Sequence, residues 1–384
     1  MGDILHALPA ITALRRAHPA WKIGWAIEPR WRALLATELD QLSQAPMRSA
    51  ASGERSQARP LVDQIHLVPS KAWGRKPLSR ETLDGIRSLR AELRAAEYEA
   101  VLDLQGAIRS SVVARLSGCR RIVGEAVPRE AVAKWLFHER IETVGAHVIE
   151  QDVELASAVV GDMLVPMAPA LPVSTRAEEW CEDLPELRAA SWGNKPVVLI
   201  HPGAGWGAKR WPVSRYGAVA EEFAMRGATV LVNAGPGEEA LAAQVVEAAH
   251  GLATVVQSSL EQLIELTRRV SLVIGGDTGP LHLACALGKP VVGIYGPTDP
   301  RRNGPYGSLF RVLRNPESRR DHTRREQPEA GLLTITPDAV IVAAAELLLE
   351  ERKRRQGAGG NASGWTASGH TGNSRTVDVE GGQR

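Results

Sequence analysis

Cysteine is scarce, with three residues in 384. Cys119, Cys181 and Cys285 lie far apart, with no C-x-x-C pair and no metal-ligand spacing. That excludes a disulfide framework and points to buried, reduced thiols in a reducing compartment. An excess of either charge is also missing. Lys and Arg number 46 against 44 Asp and Glu, and the net charge of +2 argues against wholesale nucleic-acid binding. The longest apolar runs, such as "AVIVAAAELLL", fall far short of a membrane span. No basic-then-apolar leader opens the chain, so secretion is not expected. His6 stands where a myristoylation signal wants Ser or Thr. Three phosphate-handling signatures are absent too: no GxxxxGK[ST], no GxGxxG and no D-x-D. The first two absences argue against a Walker ATPase and a dinucleotide-dependent dehydrogenase. The third leaves no obvious diphosphate-bound cation site, so no metal and no cofactor is expected.

What is present is the composition of a globular protein, 44% apolar and 23% charged, long enough for two domains. The first half alternates helix-like and strand-like segments. "LPAITALRRAHP" has helical spacing and stops at Pro19, while "KIGWAIE" and "QIHLVPS" read as short strands. "SRETLDGIRSLRAELRAAEYEA" reads as a helix capped by Ser79, followed by a buried strand in "AVLDLQG". Strands separated by helices of this length indicate βαβ units and a parallel sheet. The stretch "VPMAPALPVSTRAEEW" breaks the rhythm, which restarts after "NKP". The expected division is an N-terminal domain over 1–170, a second over 171–337, a closing helix over 338–355 with Thr336 as N-cap and Pro337 at N1, and a disordered Gly/Ser-rich tail over 356–384. The basic loop "RNPESRRDHTRREQPEAG" has no period and receives no role.

Three motifs carry chemistry. In "VIGGDTGPLHLACALG" an apolar strand runs into Gly275-Gly276-Asp277-Thr278-Gly279 and a helix starts near Pro280. Glycines permit close approach of a ligand, and the free N–H groups of the helix start suit a diphosphate. The bland alternative is that Asp277 or Thr278 caps the helix. His282 is placed to reach a phosphate, or else is a structural histidine. In "LIHPGAGWGAKRWP" a strand ends in a Gly-rich loop followed by Lys209, suited to a leaving diphosphate or simply solvated. In "VNAGPGEE", Glu238 and Glu239 stand at a strand end, where a carboxylate accepts from ribose hydroxyls or merely complements a helix dipole.

Together, "MGDILHALPAITALRRAHP", "AVLDLQGAIRSSVVARLSG", "HPGAGWGAKRWP", "NAGPGEE" and "GGDTGPLHLACALGKPVVGIYGPTDP" resemble the bacterial heptosyltransferase family, glycosyltransferase family 9. "WAIEPRW" and "REAVAKWLF" are similar to the type I enzymes. The resemblance implies a GT-B fold of two Rossmann-like domains facing a cleft. It implies an inverting, metal-independent transfer of heptose from ADP-heptose to the Kdo-lipid A inner core of lipopolysaccharide, at the cytoplasmic face of the inner membrane. By position, Asp3 falls on the catalytic base, and Lys209, Asp277, Thr278, Gly279 and His282 on the diphosphate side of the donor. Glu238 then takes the ribose, and Arg109 and Arg129 meet the anionic acceptor. Arg75, Lys76 and Arg80 form a further basic cluster. Other members open with an apolar strand ahead of the G-D turn, whereas here Met1 directly precedes Gly2. The first domain is therefore expected to lack its first strand, and the working protein to extend upstream. Three alternatives remain: a family transferase for another nucleotide sugar or acceptor, a nucleotide-sugar-binding protein without turnover, and a GT-B-like sugar epimerase that converts the donor with no acceptor present.

Overall fold

The computed structural model describes residues 1–37, 47–49, 55–56, 60–319 and 325–357. The expected tail beyond 357, and residues 320–324 of the basic loop, lie outside these. The chain forms two compact units. One comprises essentially Asp3–Ala45 and Gln57–Met167, the other Pro46–Ser56 and Ala168–Arg384.

Strands in chain order through the first half are β1 (Gly24–Ile27), β2 (Met47–Ser49), β3 (Arg55–Ser56), β4 (Gln64–Leu67), β5 (Val101–Asp103), β6 (Ile122–Glu125), β7 (Glu139–Ile141) and β8 (Ala170–Pro172). Helices are α1 (Gly2–Ala17), α2 (Ser70–Arg75), α3 (Arg80–Ala95), α4 (Ile108–Leu116) and α5 (Val148–Val160). Ser79 caps α3 as expected, its hydroxyl accepting from the Thr82 amide. Helix α1 begins earlier than its apolar spacing suggests, with Met1 at the N-cap and Asp3 in the first turn, so Asp3 is not the cap.

The first unit's strands form two separate parallel sheets, β1–β4 and β5–β6–β7. Helix α1 touches both. Ala10 packs with Val153, Ala156 and Leu102 of the β5 side. Arg15 holds the Leu61, Pro19 and Trp21 carbonyls and the Asp63 carboxylate beside the start of β4. Among the described residues, β1 and β5 each have a ladder partner on one side only. Ala26 of β1 is exposed and Val101 and Leu102 of β5 are half-buried, so "AVLDLQG" is not the fully buried strand expected.

The second unit shows the complete version. Strands β9 (Val197–His201), β10 (Thr229–Ala234), β11 (Thr254–Gln257), β12 (Leu272–Gly276), β13 (Val291–Tyr295) and β14 (Phe310–Arg314) make one parallel sheet in the order β11-β10-β9-β12-β13-β14. The first strand stands between the second and fourth, the doubly wound order. Helices α6 (Thr175–Asp183), α7 (Pro185–Trp192), α8 (Val213–Met225), α9 (Glu239–Ala248), α10 (Leu260–Arg269), α11 (Gly279–Ala286), α12 (Pro300–Asn303) and α13 (Pro337–Gly357) accompany it. Alternate residues of β9 serve opposite faces. Val198 and Ile200 join the core under α8, α9 and α13, while Val197 and Leu199 join that under α6, α7, α10 and α11. Burial on both faces is why "VVLIH", "LVIGG" and "VVGIY" are continuous rather than alternating apolar runs. Helix α13 buries Val340, Ala343, Ala344 and Leu347, one helical stripe. The Thr336 hydroxyl accepts from the Ala339 amide at its start, the expected cap. The sequence did not announce the small antiparallel sheet β3-β2-β8.

Cys181 and Cys285 are buried and unpaired, and burial pushes their thiols up to about 12 and about 11. Cys119 is only half-buried, contrary to expectation.

Candidate functional site

In the second unit, chain order reverses between β9 and β12, and ligands of such sheets bind outside the carboxyl ends at that crevice. The candidate residues gather there. Lys209 follows β9, Asp277 follows β12, and His282 lies in the first turns of α11. The Asp277 carboxylate accepts from Lys209 Nζ at 2.5 Å through Oδ2 and is 3.0 Å from His282 Nε2 through Oδ1. The Lys209 and Asp277 side chains are 10% and 9% exposed, so the ion pair is largely removed from water. Burial by itself would raise the Asp277 carboxyl. The His282 hydrogen bond and charge, with the Lys209 ammonium, outweigh it and hold the carboxyl well below the usual range. Asp277 is therefore an anion that parks two potential phosphate ligands, not a helix cap. Thr278 occupies the N-cap position of α11 without a side-chain cap bond, its hydroxyl donating to the Gly276 carbonyl at 3.3 Å. Gly279 opens the helix, leaving its first amides for an anion.

Two further contacts set the Lys209 loop. Its ammonium lies 4.3 Å from the centroid of the Trp206 ring. The segment 325–329 straps the loop by backbone hydrogen bonds, Ala208 N–H to the Arg325 carbonyl and Glu329 N–H to the Ala208 carbonyl. That gives the end of the basic loop a task which its composition did not reveal. A cavity of about 480 Å³ lies beside the strap, lined in part by Ala208, Asn315, Arg319 and Arg325. Glu238 ends the loop after β10, its carboxylate accepting from the Gly235 amide at 3.2 Å. It lies so close to Gly203 that a Cβ there would meet Glu238 Oε1 at 2.2 Å, so a larger residue at 203 would push the carboxylate from its place. Glu239 accepts from Gly237 N–H instead.

Sequence reasoning missed two buried groups at this edge. His201 Nε2, at the end of β9, and Thr298 Oγ1, after β13, are buried without hydrogen-bond partners among the described residues. Burial pushes the His201 imidazole down to about 3, so it is neutral at physiological pH. An unfolded histidine protonates near pH 6.5, so the folded state binds fewer protons below that value and loses stability as pH falls from there towards 3. His201→Gln removes this loss. Between pH 6 and pH 4 the wild type is expected to lose roughly 2 to 3 kcal/mol more than the variant. Chemical denaturation at the two pH values checks this, and equal losses would contradict it.

The first unit holds the other group. Asp3 Oδ2 accepts from Gln105 Nε2 at 3.3 Å and from Arg129 Nη1 at 3.4 Å. The carboxylate is 59% exposed, open to an incoming hydroxyl. The "DLQGAIRSS" turn is built around Asp103, buried beneath it. Oδ1 accepts from the Gln105 and Gly106 amides and Oδ2 from the Ser110 and Ser111 hydroxyls. Gly106, at φ +60°, packs on Pro128 and Arg129, and its carbonyl accepts from the Glu130 amide. Gln105 and Asp103 were not foreseen; an acid followed by a serine pair in that turn was the available signal. Arg109 goes elsewhere. Its Nη1 donates to the Ser70 hydroxyl at 2.9 Å, and Ser70 donates in turn to Glu28. Among the described residues, no group of three or more His, Cys, Asp or Glu is placed to hold a metal ion, and no helix is long and apolar enough to cross a membrane.

Comparison with known proteins follows the same lines. The model of Glycosyltransferase family 9 (heptosyltransferase) matches residues 86–333, more than half of the chain. The chain is 27% identical over 321 residues to lipopolysaccharide heptosyltransferase 1 of Escherichia coli, covering 82% of this chain and 91% of that protein. It is 26% identical over 313 residues to its counterpart from Pseudomonas aeruginosa, covering 80% and 79%. Among solved structures, a family 9 glycosyltransferase from Veillonella parvula superposes with a TM-score of 0.72 at 20% identity, covering 91% of this chain and 95% of that one. E. coli heptosyltransferase WaaC with ADP gives 0.69 at 22%, covering 90% and 97%. These likenesses show the fold, two Rossmann-like units of the GT-B class.

Proposed function

Since the chain belongs to glycosyltransferase family 9, the heptosyltransferases, we propose that it transfers heptose from ADP-heptose to a Kdo-lipid A acceptor with inversion, as a type I enzyme at the cytoplasmic face of the inner membrane. Relatives bearing the number 1 support the type, and WaaC, solved with ADP, supports the donor class. The observation that carries the reading is the Lys209–Asp277–His282 cluster at the switch point of the second sheet.

In this reading Glu238 accepts from the ribose hydroxyls, and the α11 amides with Lys209 and His282 take the diphosphate. An acceptor hydroxyl attacks the anomeric carbon from the side opposite ADP. Its proton passes to Asp3, the new glycosidic C–O bond forms, and the bond to the β-phosphate oxygen breaks with its electrons leaving on ADP. Charge then grows on the leaving oxygen, where preorganised cations and amides stabilise it. Arg129 is assigned to the acceptor's anionic groups while it also orients Asp3, and Arg109 to the same acceptor from the Ser70 side. ADP release from ADP-heptose is the test, with and without Kdo-lipid A. Release that needs the acceptor is expected. Binding of donor without release would favour a non-catalytic binder, and release with another nucleotide sugar alone would change the substrate.

A further inference from the structure

Lys209 ends a single 3₁₀ turn, Gly207–Lys209, with Trp206 at its N-cap in extended backbone. The Lys209 N–H donates to the Trp206 carbonyl at 3.1 Å. Three residues per turn eclipse the side chains at i and i+3, so this turn sets Lys209 above Trp206. The ammonium accordingly lies 4.3 Å from the centroid of the indole. The turn is also held from outside. A Cβ on Gly207 would run into the Glu326 carbonyl, and glycine there lets the strap lie flat on the loop. Ala208 is tied to the same strap through Arg325 and Glu329.

With the backbone held, what remains to be ordered is the flexible four-carbon stem of the lysine. Two groups hold its ammonium, Asp277 Oδ2 at 2.5 Å and the Trp206 ring face. They act differently. The carboxylate carries a full negative charge and competes with a phosphate for the cation. An indole face attracts a cation through its quadrupole, with no formal charge, so an ammonium resting on it keeps its charge for an incoming anion. The indole's own polar group does not explain its place. Trp206 is half-buried, and its Nε1–H, a donor only, is buried without a hydrogen-bond partner among the described residues. The ring is sited for its face. We propose that Trp206 is a positioning residue of the donor site, its ring holding the Lys209 ammonium where a diphosphate-bearing ligand takes it. It acts through Lys209 and needs no contact with the ligand. This rests on the donor side of the proposed function and not on the transfer step.

Isothermal titration of the full chain with ADP tests it. Trp206→Leu and Trp206→Met both remove the π face and keep apolar bulk, and each is expected to weaken ADP binding roughly tenfold. Trp206→Phe restores a face without the N–H and is expected to recover most of that loss. In a Lys209→Met background, Trp206→Leu should add less than about twofold, since the two residues act as one unit. Lysine labelled with ¹³C at the ε carbon reports the geometry without any ligand. Protons above an aromatic face shift upfield, so wild type should show one such signal, absent in Lys209→Met and Trp206→Leu and present in Trp206→Phe. Thermal melts establish which variants are folded, and either Leu or Met suffices. Wild-type affinity in the folded Leu or Met variant overturns the proposal. So does a Phe variant as weak as they are, an equal loss in the Lys209→Met background, or a wild type that lacks the shifted signal or binds no ADP. The expected pattern of ADP binding with no ADP release from ADP-heptose and acceptor would strike the proposed transfer alone.

Discussion

Asp3→Asn is expected to lower kcat by about 10² to 10⁴, the range that a general base contributes, while leaving donor affinity unchanged. Asparagine keeps the shape of aspartate and still offers an oxygen to Gln105 and Arg129, whose bonds to Asp3 Oδ2 are 3.3 and 3.4 Å. It cannot take a proton. The first turn of α1 therefore keeps its place and loses only the chemistry. Isothermal titration with ADP measures the donor side, where the proposed contacts all belong to the second unit, and steady-state ADP release measures the turnover. A wild-type kcat in the variant would remove Asp3 from the base's role. An equal drop in α-helical content and kcat would point to misfolding instead, which the conservative substitution is chosen to avoid.

Lys209→Met is expected to lower kcat/KM by about 10² to 10³ by withdrawing one fixed charge from the departing diphosphate. It should also destabilise the fold, because Asp277 loses its 2.5 Å partner in a site where both side chains are about nine-tenths buried. Removing one member of such a pair strands the other and typically costs about 3–5 kcal/mol, less here because His282 Nε2 still meets the carboxylate at 3.0 Å. The double variant Lys209→Met/Asp277→Asn separates the two effects. Its melting temperature should climb back towards wild type, since no stranded charge remains, while its activity should stay low. Were Lys209 merely structural, activity would return along with the melting temperature.

The second unit was legible because its inner strands β9, β10, β12 and β13 are buried on both faces and so appear as largely apolar runs, each ending in a glycine-bearing loop. The position of Glu238 at a strand end and the caps Ser79 and Thr336 followed from local rules and hold in the structure. What local rules could not reach is pairing across the chain. Local rules offered Asp277 as part of a diphosphate site or as a helix cap, but not its partner Lys209, 68 residues away in another loop. Gln105 meets Asp3 across 102 residues, and no periodicity encodes that. The strap at 325–329 had no readable signal at all, since it acts through backbone carbonyls and amides that any sequence would supply. His201 and Thr298 stayed hidden for a different reason. Their interest lies in the partners they lack, which only a packed interior reveals.

The divided sheet of the first unit bears on which of its strands can accept a further partner. Along one side of β1 and one side of β5, backbone donors and acceptors stand without ladder partners among the described residues. Neither strand carries proline or lysine, the usual guards of an open edge. Such rows are templates on which a strand can be added. The complete six-stranded sheet of the second unit, by contrast, confines its unpaired sides to its two outer strands. Among the described residues, open strand sides therefore occur in the first unit at β1 and β5, where an added strand from any chain would find ready partners.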